Sequence, residues 1–420
     1  MKLLITLAWK NLSRYSRRTI ITASALAVGL GLFILIDSML LGAGRETELN
    51  LIRYDTGVAQ IQHKDYLETY ENDPLEKAVD NTESILNRLE KEGIPAAPRI
   101  TFRSEMIVRQ DPFKEDGSLM VEAVGINPER DSQVYDIKRH IAEGGRYLKP
   151  DEEGVLIGGW LAEDIGAEVG YPITLVTTTK TGYRQTMNLE IVGIVNSPDP
   201  VLNRKQVFIP LETANFYMEM GGAVTSITLG LPEHRYPEAE KLAANTKEAI
   251  GLDTSKYDIV TWKDQAKDYL AIAQAKQGGT GMILFLVFVI AAVGVTNTML
   301  MAIYERIREL GMMRAIGMTD SQIRFAFLFE AAGIGLIGAL VGVLIGAAAT
   351  FYMVNWGIDF GWMLRDMDVG YRIAGVFRGT WNPAGMLQAF FAGIILATAV
   401  SYIPTRKALK MQISNCLRHQ

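Results

Sequence analysis

Four long apolar stretches constrain this chain more than any other feature, because each is long enough to cross a bilayer as a helix. The polar segments between them carry most of the charge, which makes up only 21% of the residues overall. The sequence therefore predicts an α-helical membrane protein with four transmembrane helices. They are expected at residues 20–43, 279–303, 325–354 and 383–403.

The first apolar stretch, IITASALAVGLGLFILIDSMLL, follows a basic amino-terminal segment without any acidic residue. Its length exceeds that of the apolar core of a secretory signal peptide, so we predict a retained helix. Cleavage near Gly42–Gly44 is the alternative.

Basic residues fix the predicted orientation through the positive-inside rule. Residues 1–19, an amphipathic segment, carry five Lys and Arg residues and no acid, and residues 404–420 carry four and no acid. The loop 304–324 carries four Arg residues against three acids. We therefore predict a multi-pass protein of the cell inner membrane with both termini in the cytoplasm. The single cysteine, Cys416, excludes an internal disulfide.

Residues 44–278 form a large polar segment that is predicted to lie outside the cytoplasm, as does the loop 355–382. Alternating apolar residues predict strands, and NTESILNRLEKEG predicts a helix. Together they indicate an α+β domain in which two strand-helix-strand units flank a β-rich lobe at about 145–220. Polar helical patterns at both ends of the domain predict stalk helices; ordinary amphipathic connectors are the alternative.

Patterns that carry chemistry are absent from the sequence. The four histidines show no metal-ligand spacing, and neither GxSxG, HExxH nor GxxxxGK[ST] occurs. We therefore expect no catalytic residue, no metal and no enzymatic activity in this chain. A net charge of −5 gives no reason to expect binding to nucleic acid.

The third apolar stretch carries three glycines at four-residue spacing, with a further glycine, Gly335, three residues before the first of them. Such a face lets two helix backbones approach closely within a membrane. Packing within the same chain and packing between subunits are both consistent with the pattern. The glycines are Gly335, Gly338, Gly342 and Gly346.

The loop YERIRELGMMRAIGMTDSQIR, with a predicted helix break at Gly317, is the most informative segment. It resembles the coupling-helix loop of MacB/FtsX-type (type VII) ABC transporter permeases, in which Arg, Glu, Gly and apolar residues recur at matching positions. The resemblance implies that this loop contacts an ATPase. The matching positions named as candidate coupling residues are Glu305, Arg306, Arg308, Glu309, Gly311, Arg314, Ala315, Gly317 and Ile323.

The resemblance extends over nearly the whole chain. The opening AWKNLSRYSRRT, the segment GGRYLKPDEEGVLIGGWLAEDIGAEVGYPITL and the tail PTRKALKMQISNCLR are all similar to elements of that family. The tail departs from the family at Ile413, where a proline is usual, which puts the geometry of the tail in doubt.

Membership of this family implies a permease that forms half of a dimer, either with a second copy or with a paralogous permease. It implies a separate ABC ATPase subunit that binds ATP and Mg, and a mechanism in which movement, rather than cargo, passes through the membrane helices. The stretches themselves contain few polar residues beyond Asp37, Asn297 and Glu330.

Three functions fit the resemblance. The architecture is most similar to the lipoprotein-releasing LolC/LolE subunits; a MacB-like exporter of peptides or antibiotics and an FtsX-like regulator of a cell-wall hydrolase are the alternatives. Lipoprotein-releasing permeases recruit a periplasmic carrier, and an adaptor is the corresponding partner of an exporter. The loop RQDPFKEDGS, with Pro112 and Phe113 exposed at a turn, is the predicted partner loop; a polar hairpin tip with one buried aromatic is the alternative.

Overall fold

The computed structural model describes residues 12, 14, 16–66, 75–305, 307–364, 373 and 375–409. The chain divides into two compact units. The helical unit comprises Met1–Ala43, Ala273–Asp359 and Phe377–Gln420, and the α+β unit comprises Gly44–Ile272 and Phe360–Val376.

The helices are numbered here in chain order. They are α1 (Ser16–Leu51), α2 (Thr82–Lys91), α3 (Pro128–Val134), α4 (Gly159–Ile165), α5 (Pro200–Lys205), α6 (Leu211–Tyr217), α7 (Ala239–Ala249), α8 (Trp262–Gln265), α9 (Lys267–Glu305), α10 (Ile307–Ala315), α11 (Asp320–Asn355), α12 (Gly361–Leu364) and α13 (Pro383–Leu409), with a π-helical turn at Ile52–Thr56 and 3-10 turns at Ile137–His140 and Glu233–Glu238.

The strands belong mostly to the α+β unit. They are β1 (Ala59–His63), β2 (Ala96–Val108), β3 (Gly117–Ile126), β4 (Gly154–Gly158), β5 (Pro172–Thr178), β6 (Arg184–Val195), β7 (Gln206–Pro210), β8 (Ser226–Leu229), β9 (Tyr257–Thr261), β10 (Ile358–Asp359) and β11 (Val376–Phe377).

Three helical stretches among the described residues are long and apolar enough to cross a membrane: Thr19–Thr56, Asp320–Asn355 and Pro383–Lys407. The remaining predicted span falls within helix α9, where the described residues provide a shorter apolar stretch, Phe285–Gly294. Three of the four predicted spans are therefore found in the described part of the chain, and the fourth stays a prediction.

Helices α1, α11 and α13 share the core of the helical unit. Leu26, Leu30 and Ile34 of α1 are buried together with Ala339 of α11 and Ala397 of α13. Small alanines on two of the helices let the large aliphatic side chains of the first fill the space between them. Aliphatic side chains on the opposite faces of these helices stay exposed, as a surface in contact with lipid requires.

Strands of the two predicted strand-helix-strand units lie side by side in the α+β unit. Strand β1 pairs antiparallel with both β8 and β9, and the start of β2 also pairs antiparallel with β8. The order β2-β8-β1-β9, with α2 and α7 as the connecting helices, is the split βαβ arrangement. The segment between β2 and β8 is inserted into this arrangement.

The inserted segment forms a closed barrel together with β2. The sheet order β3-β7-β4-β6-β5-β2 is completed by pairing of β3 with β2, so six strands form a ring. A closed ring leaves no free sheet edge along most of its strands. The predicted β-rich lobe at about 145–220 held only β4 to β7; the structure adds β2 and β3, which come earlier in the chain.

Both faces of the barrel strands β4 and β7 are buried. Val155 and Ile157 of β4 belong to the main core, whereas Leu156 between them belongs to a second core. The second core also contains Tyr54, which lies in the π-helical turn directly after helix α1. Strands buried on both faces explain why this part of the sequence shows apolar runs as well as alternation.

Candidate functional site

The predicted coupling loop folds as a short helix, a tight turn and the start of a long helix. Helix α10 ends in a Schellman motif, in which Met318 N donates to Met313 O and Gly317 N donates to Arg314 O, both at 3.1 Å. Gly317 adopts a φ of +96°, a conformation that side chains disfavour. The predicted helix break at Gly317 therefore lies where the structure places the end of α10.

The next helix begins with a capping box at Thr319. Its hydroxyl accepts from Gln322 N at 3.3 Å, while Gln322 Oε1 accepts from Thr319 N at 2.9 Å. Two otherwise unpaired backbone N–H groups are thereby satisfied, which fixes where α11 starts. Helix α10 and helix α11 are thus joined by a turn with defined hydrogen bonds on both sides.

Arg314 holds the loop together from inside. Its guanidinium donates to Asp320 Oδ1 from Nη2 at 2.8 Å and from Nε at 3.1 Å. Nη2 also donates to the carbonyl oxygen of Leu409, at the last described residue of α13. Only 10% of the Arg314 side chain is exposed. Arg314 therefore positions the loop against α13.

A small apolar cluster reinforces this connection. Ile323 and Phe327 of α11 are buried against Leu409 of α13, with Met313 and Met318 packed at the edge. Residues Met313 and Met318 are also the pair that a Schellman motif usually brings into contact. The turn, the ion pair and the cluster together make the loop a rigid extension of α11 and α13.

Two large apolar side chains of helix α10 are exposed, and the sequence reasoning did not single them out. Met312 is 56% exposed and Ile316, four residues later, is 75% exposed. Residues four apart in a helix share a face, so the two side chains form one protruding patch. The signal that could have found them is the placement of two large apolar residues in a segment otherwise rich in charge.

The other predicted coupling residues divide between surface and interior. Glu305, Ala315 and Gly317 are exposed, whereas Gly311 and Ile323 are buried. Glu309 lies 4.0 Å from Arg14, whose side chain is largely exposed. Arg306 and the side chain of Arg308 lie outside the described residues.

The glycine face of α11 packs on α1 of the same chain. A Cβ built at Gly338 would lie 2.9 Å from Ala23 O, and one at Gly342 would lie 2.9 Å from Ala27 O. At Gly346 the nearest atom is Ile34 Cβ at 2.7 Å, while Gly335 faces Ala397 of α13 instead. The glycine pattern was consistent with packing within the chain or between subunits, and the contacts in the structure are within the chain.

The polar residue of the first span also has a partner inside the helical unit. Asp37 Oδ2 accepts from Asn382 Nδ2 at 2.8 Å, and Asn382 Oδ1 accepts from Gly385 N at 3.0 Å. Asn382 thus caps the start of α13 while binding α1.

The predicted partner loop requires a correction at Phe113. Pro112 is exposed, as expected, but Phe113 is 2% exposed and meets Tyr171 edge-on at 5.4 Å between ring centroids. Its ring fills the main core beneath the β2–β3 hairpin. The prediction of an exposed aromatic is therefore wrong, and the alternative, a polar tip with one buried aromatic, describes the loop.

Within the described residues, no group of three or more His, Cys, Asp and Glu side chains is placed to bind a metal ion.

Two family profiles match the chain. The profile described as MacB-like periplasmic core domain matches residues 19–244, and the profile described as FtsX-like permease C-terminal matches residues 281–413. Together they cover most of the α+β unit and the apolar stretches that follow it.

Several characterised proteins are similar in sequence. The ABC transporter permease YtrF of Bacillus subtilis is 26% identical over 58% of this chain, which spans 56% of that protein's length. The lipoprotein-releasing system transmembrane protein LolC of Neisseria meningitidis is 21% identical over 96% of this chain and 94% of its own length. The macrolide export ATP-binding/permease protein MacB of Pasteurella multocida is 28% identical over 40% of this chain and 26% of its own length.

Two solved structures also match. The periplasmic region of MacB from Actinobacillus actinomycetemcomitans covers 54% of this chain at a TM-score of 0.36 and 14% identity, with 98% of that structure matched. The extracellular domain of the YknZ transporter from Gram-positive bacteria covers 49% of this chain at a TM-score of 0.33 and 10% identity, with 100% of that structure matched.

Proposed function

The chain belongs to the MacB/FtsX family of ABC transporter permeases, and we propose that it is the membrane subunit of a lipoprotein-releasing transporter. In this proposal a separate ATPase subunit binds ATP and Mg and docks on the coupling loop. The resulting movement reaches the α+β unit, which extracts acylated proteins from the outer leaflet of the inner membrane. A second copy of the chain or a paralogous permease completes the transporter.

The choice of lipoprotein release rests on the extent of the alignment with LolC. That alignment runs over nearly the full length of both proteins, whereas the one with MacB covers about a quarter of that relative. A shared arrangement of all segments supports a shared way of working better than a shared segment does. Export of peptides or antibiotics and regulation of a cell-wall hydrolase are the outcomes that the experiments below would reveal instead.

The exposed patch of Met312 and Ile316 supports docking of an ATPase on the coupling loop. Large apolar side chains on a rigid protruding element are typical of protein–protein contact sites. Since Arg314 ties the loop to α11 and α13, force applied to the patch is passed to two long helices together.

The interior of the helical unit supports a mechanism in which the helices transmit movement rather than form a pathway for cargo. The carboxylate of Asp37 is hydrogen-bonded to Asn382, and Glu330 is 2% exposed. A pathway for polar cargo would instead need polar side chains facing a water-filled cavity.

Replacement of the patch tests the docking. The double variant Met312→Ser/Ile316→Ser should lose at least about tenfold in both ATPase co-purification and stimulation of ATP hydrolysis, which corresponds to about 1.4 kcal/mol of binding free energy. Phe216→Ser is the matched control, because Phe216 is 76% exposed, as Ile316 is 75%, but lies in the α+β unit. Reversing the charges of Arg308 and Glu309 should uncouple hydrolysis in the same way. Retention of both co-purification and stimulation in these variants would show that the partner docks elsewhere.

Depletion of the chain tests the cargo. Mature lipoproteins should then accumulate in the inner membrane, as followed by membrane fractionation and mass spectrometry. Normal sorting together with new sensitivity to drugs would establish efflux instead, and normal sorting with a cell-division defect would establish regulation of a hydrolase.

A further inference from the structure

Helix α1 does not end at Leu51 in an ordinary cap but passes into a π-helical turn at Ile52–Thr56. The π-helix is rare and usually occurs as a single turn at functional positions, since its wide hydrogen bonding is unfavourable without support from neighbours. The turn ends at Gly57, whose φ is +62° and where a Cβ would lie 2.0 Å from Thr228 Cγ2. The close contact at Gly57 therefore fixes the path of the backbone from the π-turn into strand β1.

Arg53, in the π-turn, contacts two separate segments of the α+β unit. Its Nη2 donates to Glu233 Oε2 at 2.6 Å, in the 3-10 turn that follows β8. Its carbonyl oxygen accepts from Asp136 N at 3.3 Å, and the Asp136 carboxylate lies 3.9 Å from its Nε. Although burial lowers the pKa of Arg53, the hydrogen bond and charge of Glu233 outweigh this and raise it above its ordinary value.

Tyr54, the next residue, reaches the barrel. Its hydroxyl is hydrogen-bonded to His140 Nε2 at 2.8 Å, and its side chain is buried in the second core. The carbonyl oxygen of His140 accepts from Asn196 N at 2.8 Å, and Ala142 N donates to Ile194 O at the end of β6. The Tyr54 hydroxyl is therefore two hydrogen bonds away from Asn196, the residue that directly follows barrel strand β6.

Asp55, the third residue of the π-turn to contact a neighbouring segment, does so through its backbone. Its carbonyl oxygen accepts from the Tyr135 hydroxyl at 3.0 Å, and Tyr135 Oη also lies 2.9 Å from Thr228 Oγ1 of β8. The Tyr135 ring lies beneath the Arg99 guanidinium, at 3.3 Å from the ring centroid. Arg99 is in turn held by the buried carboxylate of Asp131 at 2.9 Å.

We propose that the π-turn Ile52–Thr56 is the transmission contact through which movement of helix α1 reaches both the split sheet and the barrel, with Arg53 and Tyr54 as its positioning residues. This inference rests on the proposed function, in which ATP hydrolysis moves the α+β unit. The three successive residues Arg53 to Asp55 contact two segments: all three contact Tyr135–His140, and Arg53 also binds Glu233 in the turn that follows β8. The segment Tyr135–His140 leads to β8 through the Tyr135 hydroxyl and to the end of β6 through His140. A helix end fixed in this way moves its neighbours with it, whereas a helix followed by a flexible loop would move alone.

The segment Tyr135–Arg146 should report the movement, because it lies between the π-turn and the barrel. The experiment uses the full-length permease with its ATPase subunit in lipid nanodiscs and measures amide hydrogen exchange of this segment with and without ATP and vanadate. In the wild-type complex, trapping the nucleotide should change exchange of these amides by about fivefold or more, as expected of a local opening equilibrium that is biased by the helix.

The variant Arg53→Ala/Tyr54→Phe should reduce this change to less than about twofold while basal ATP hydrolysis is unaffected. Tyr54→Phe alone keeps the ring in the core and provides a second test that is independent of folding. The matched control is Arg235→Ala, which removes a surface contact with Glu238 at 2.9 Å in the same unit. The control should behave as the wild type.

Each outcome has a distinct meaning. An unchanged exchange response in both π-turn variants, with a normal response in the wild type, would overturn the transmission contact and leave the proposed function standing. A wild-type complex that hydrolyses ATP without any response in the α+β unit would overturn the proposed function itself.

Discussion

Arg314 and Asp320 lie on opposite sides of the turn between helices α10 and α11, and two hydrogen bonds, at 2.8 and 3.1 Å, join their side chains. The pair spans the position of Gly317, whose backbone allows the chain to reverse there. Because the same guanidinium also binds the last described carbonyl of α13, the coupling loop is attached to two helices at once.

Arg314→Met should uncouple the transporter without removing the docking patch. The variant keeps the length of the side chain but loses hydrogen bonds of a charged group, each of which contributes about 1.5–3 kcal/mol. We expect stimulation of ATP hydrolysis by the permease to fall about tenfold while ATPase co-purification persists. Arg314→Lys should be intermediate, since an ammonium group cannot donate to both acceptors in the same plane. Full stimulation in Arg314→Met would show that the loop is rigid without this contact.

Gly342→Leu should destabilise the helical unit. A Cβ at this position would lie 2.9 Å from Ala27 O and 3.0 Å from Leu30 Cβ, so a larger side chain must push α1 away from α11. Overpacking of this kind costs about 1–3 kcal/mol. The midpoint of thermal unfolding in detergent should fall accordingly. The matched control is Gly281→Leu, since a Cβ there meets no described atom within 4 Å; equal melting of the two variants would argue against the packing role.

Acidification should weaken the contact between Tyr54 and His140. Burial lowers the pKa of His140 most, Asp136 raises it, and Arg139 lowers it again. A folded-state pKa below the unfolded value of about 6.5 means that the neutral imidazole stabilises the fold at higher pH. This stability is complete above pH about 6.5 and is lost as the pH falls through the folded-state pKa.

Thermal unfolding of the full chain between pH 7.5 and pH 5 measures this effect. The wild type should lose more stability over that range than His140→Gln, which carries no titrating group at this position. A parallel loss in both proteins would assign the pH dependence to other groups.

Arg99→Met should be more destabilising than the double variant Arg99→Met/Asp131→Leu. Arg99 and Asp131 are 5% and 0% exposed, so removing the guanidinium alone leaves a buried carboxylate without its partner. Breaking a buried pair costs about 3–5 kcal/mol, whereas replacing both charges with apolar groups is often close to neutral. Chemical denaturation of the three proteins gives the comparison. A double variant less stable than the single one would mean that Asp131 is satisfied by Tyr147, 3.2 Å away, without Arg99.

Local features of the structure follow from the sequence because their causes are local. The apolar stretches form long helices, and Gly317 lies at the end of α10, because length, hydropathy and the freedom of glycine act within a few residues. The two strand-helix-strand units could also be expected from alternating patterns. The pattern does not indicate which other strand or helix each strand or helix packs against.

Features that depend on distant residues escaped prediction. Phe113 is buried because Tyr171 lies beside it, and that neighbour is far away in the chain. The glycine face of α11 has the same pattern whether it meets α1 or another subunit, so only the structure identifies Ala23 and Ala27 as its contacts. Closure of the barrel requires β2 to pair with β3 on one side and with β5 on the other. The sequence of an individual strand does not indicate which strands it pairs with.

The pairing of β1 with β9 has a consequence for how the protein is made. Residues 59–63 pair antiparallel with residues 257–261, which are synthesised much later. The entropic cost of closing so long a loop is moderate, because it grows slowly with loop length. During synthesis the barrel strands, which all precede β8, are available first and can close on their own. The split sheet is completed only when Thr261 has emerged, shortly before helix α9 begins at Lys267. Completion of the split sheet and membrane insertion of the second apolar stretch are therefore consecutive events in the biogenesis of this chain.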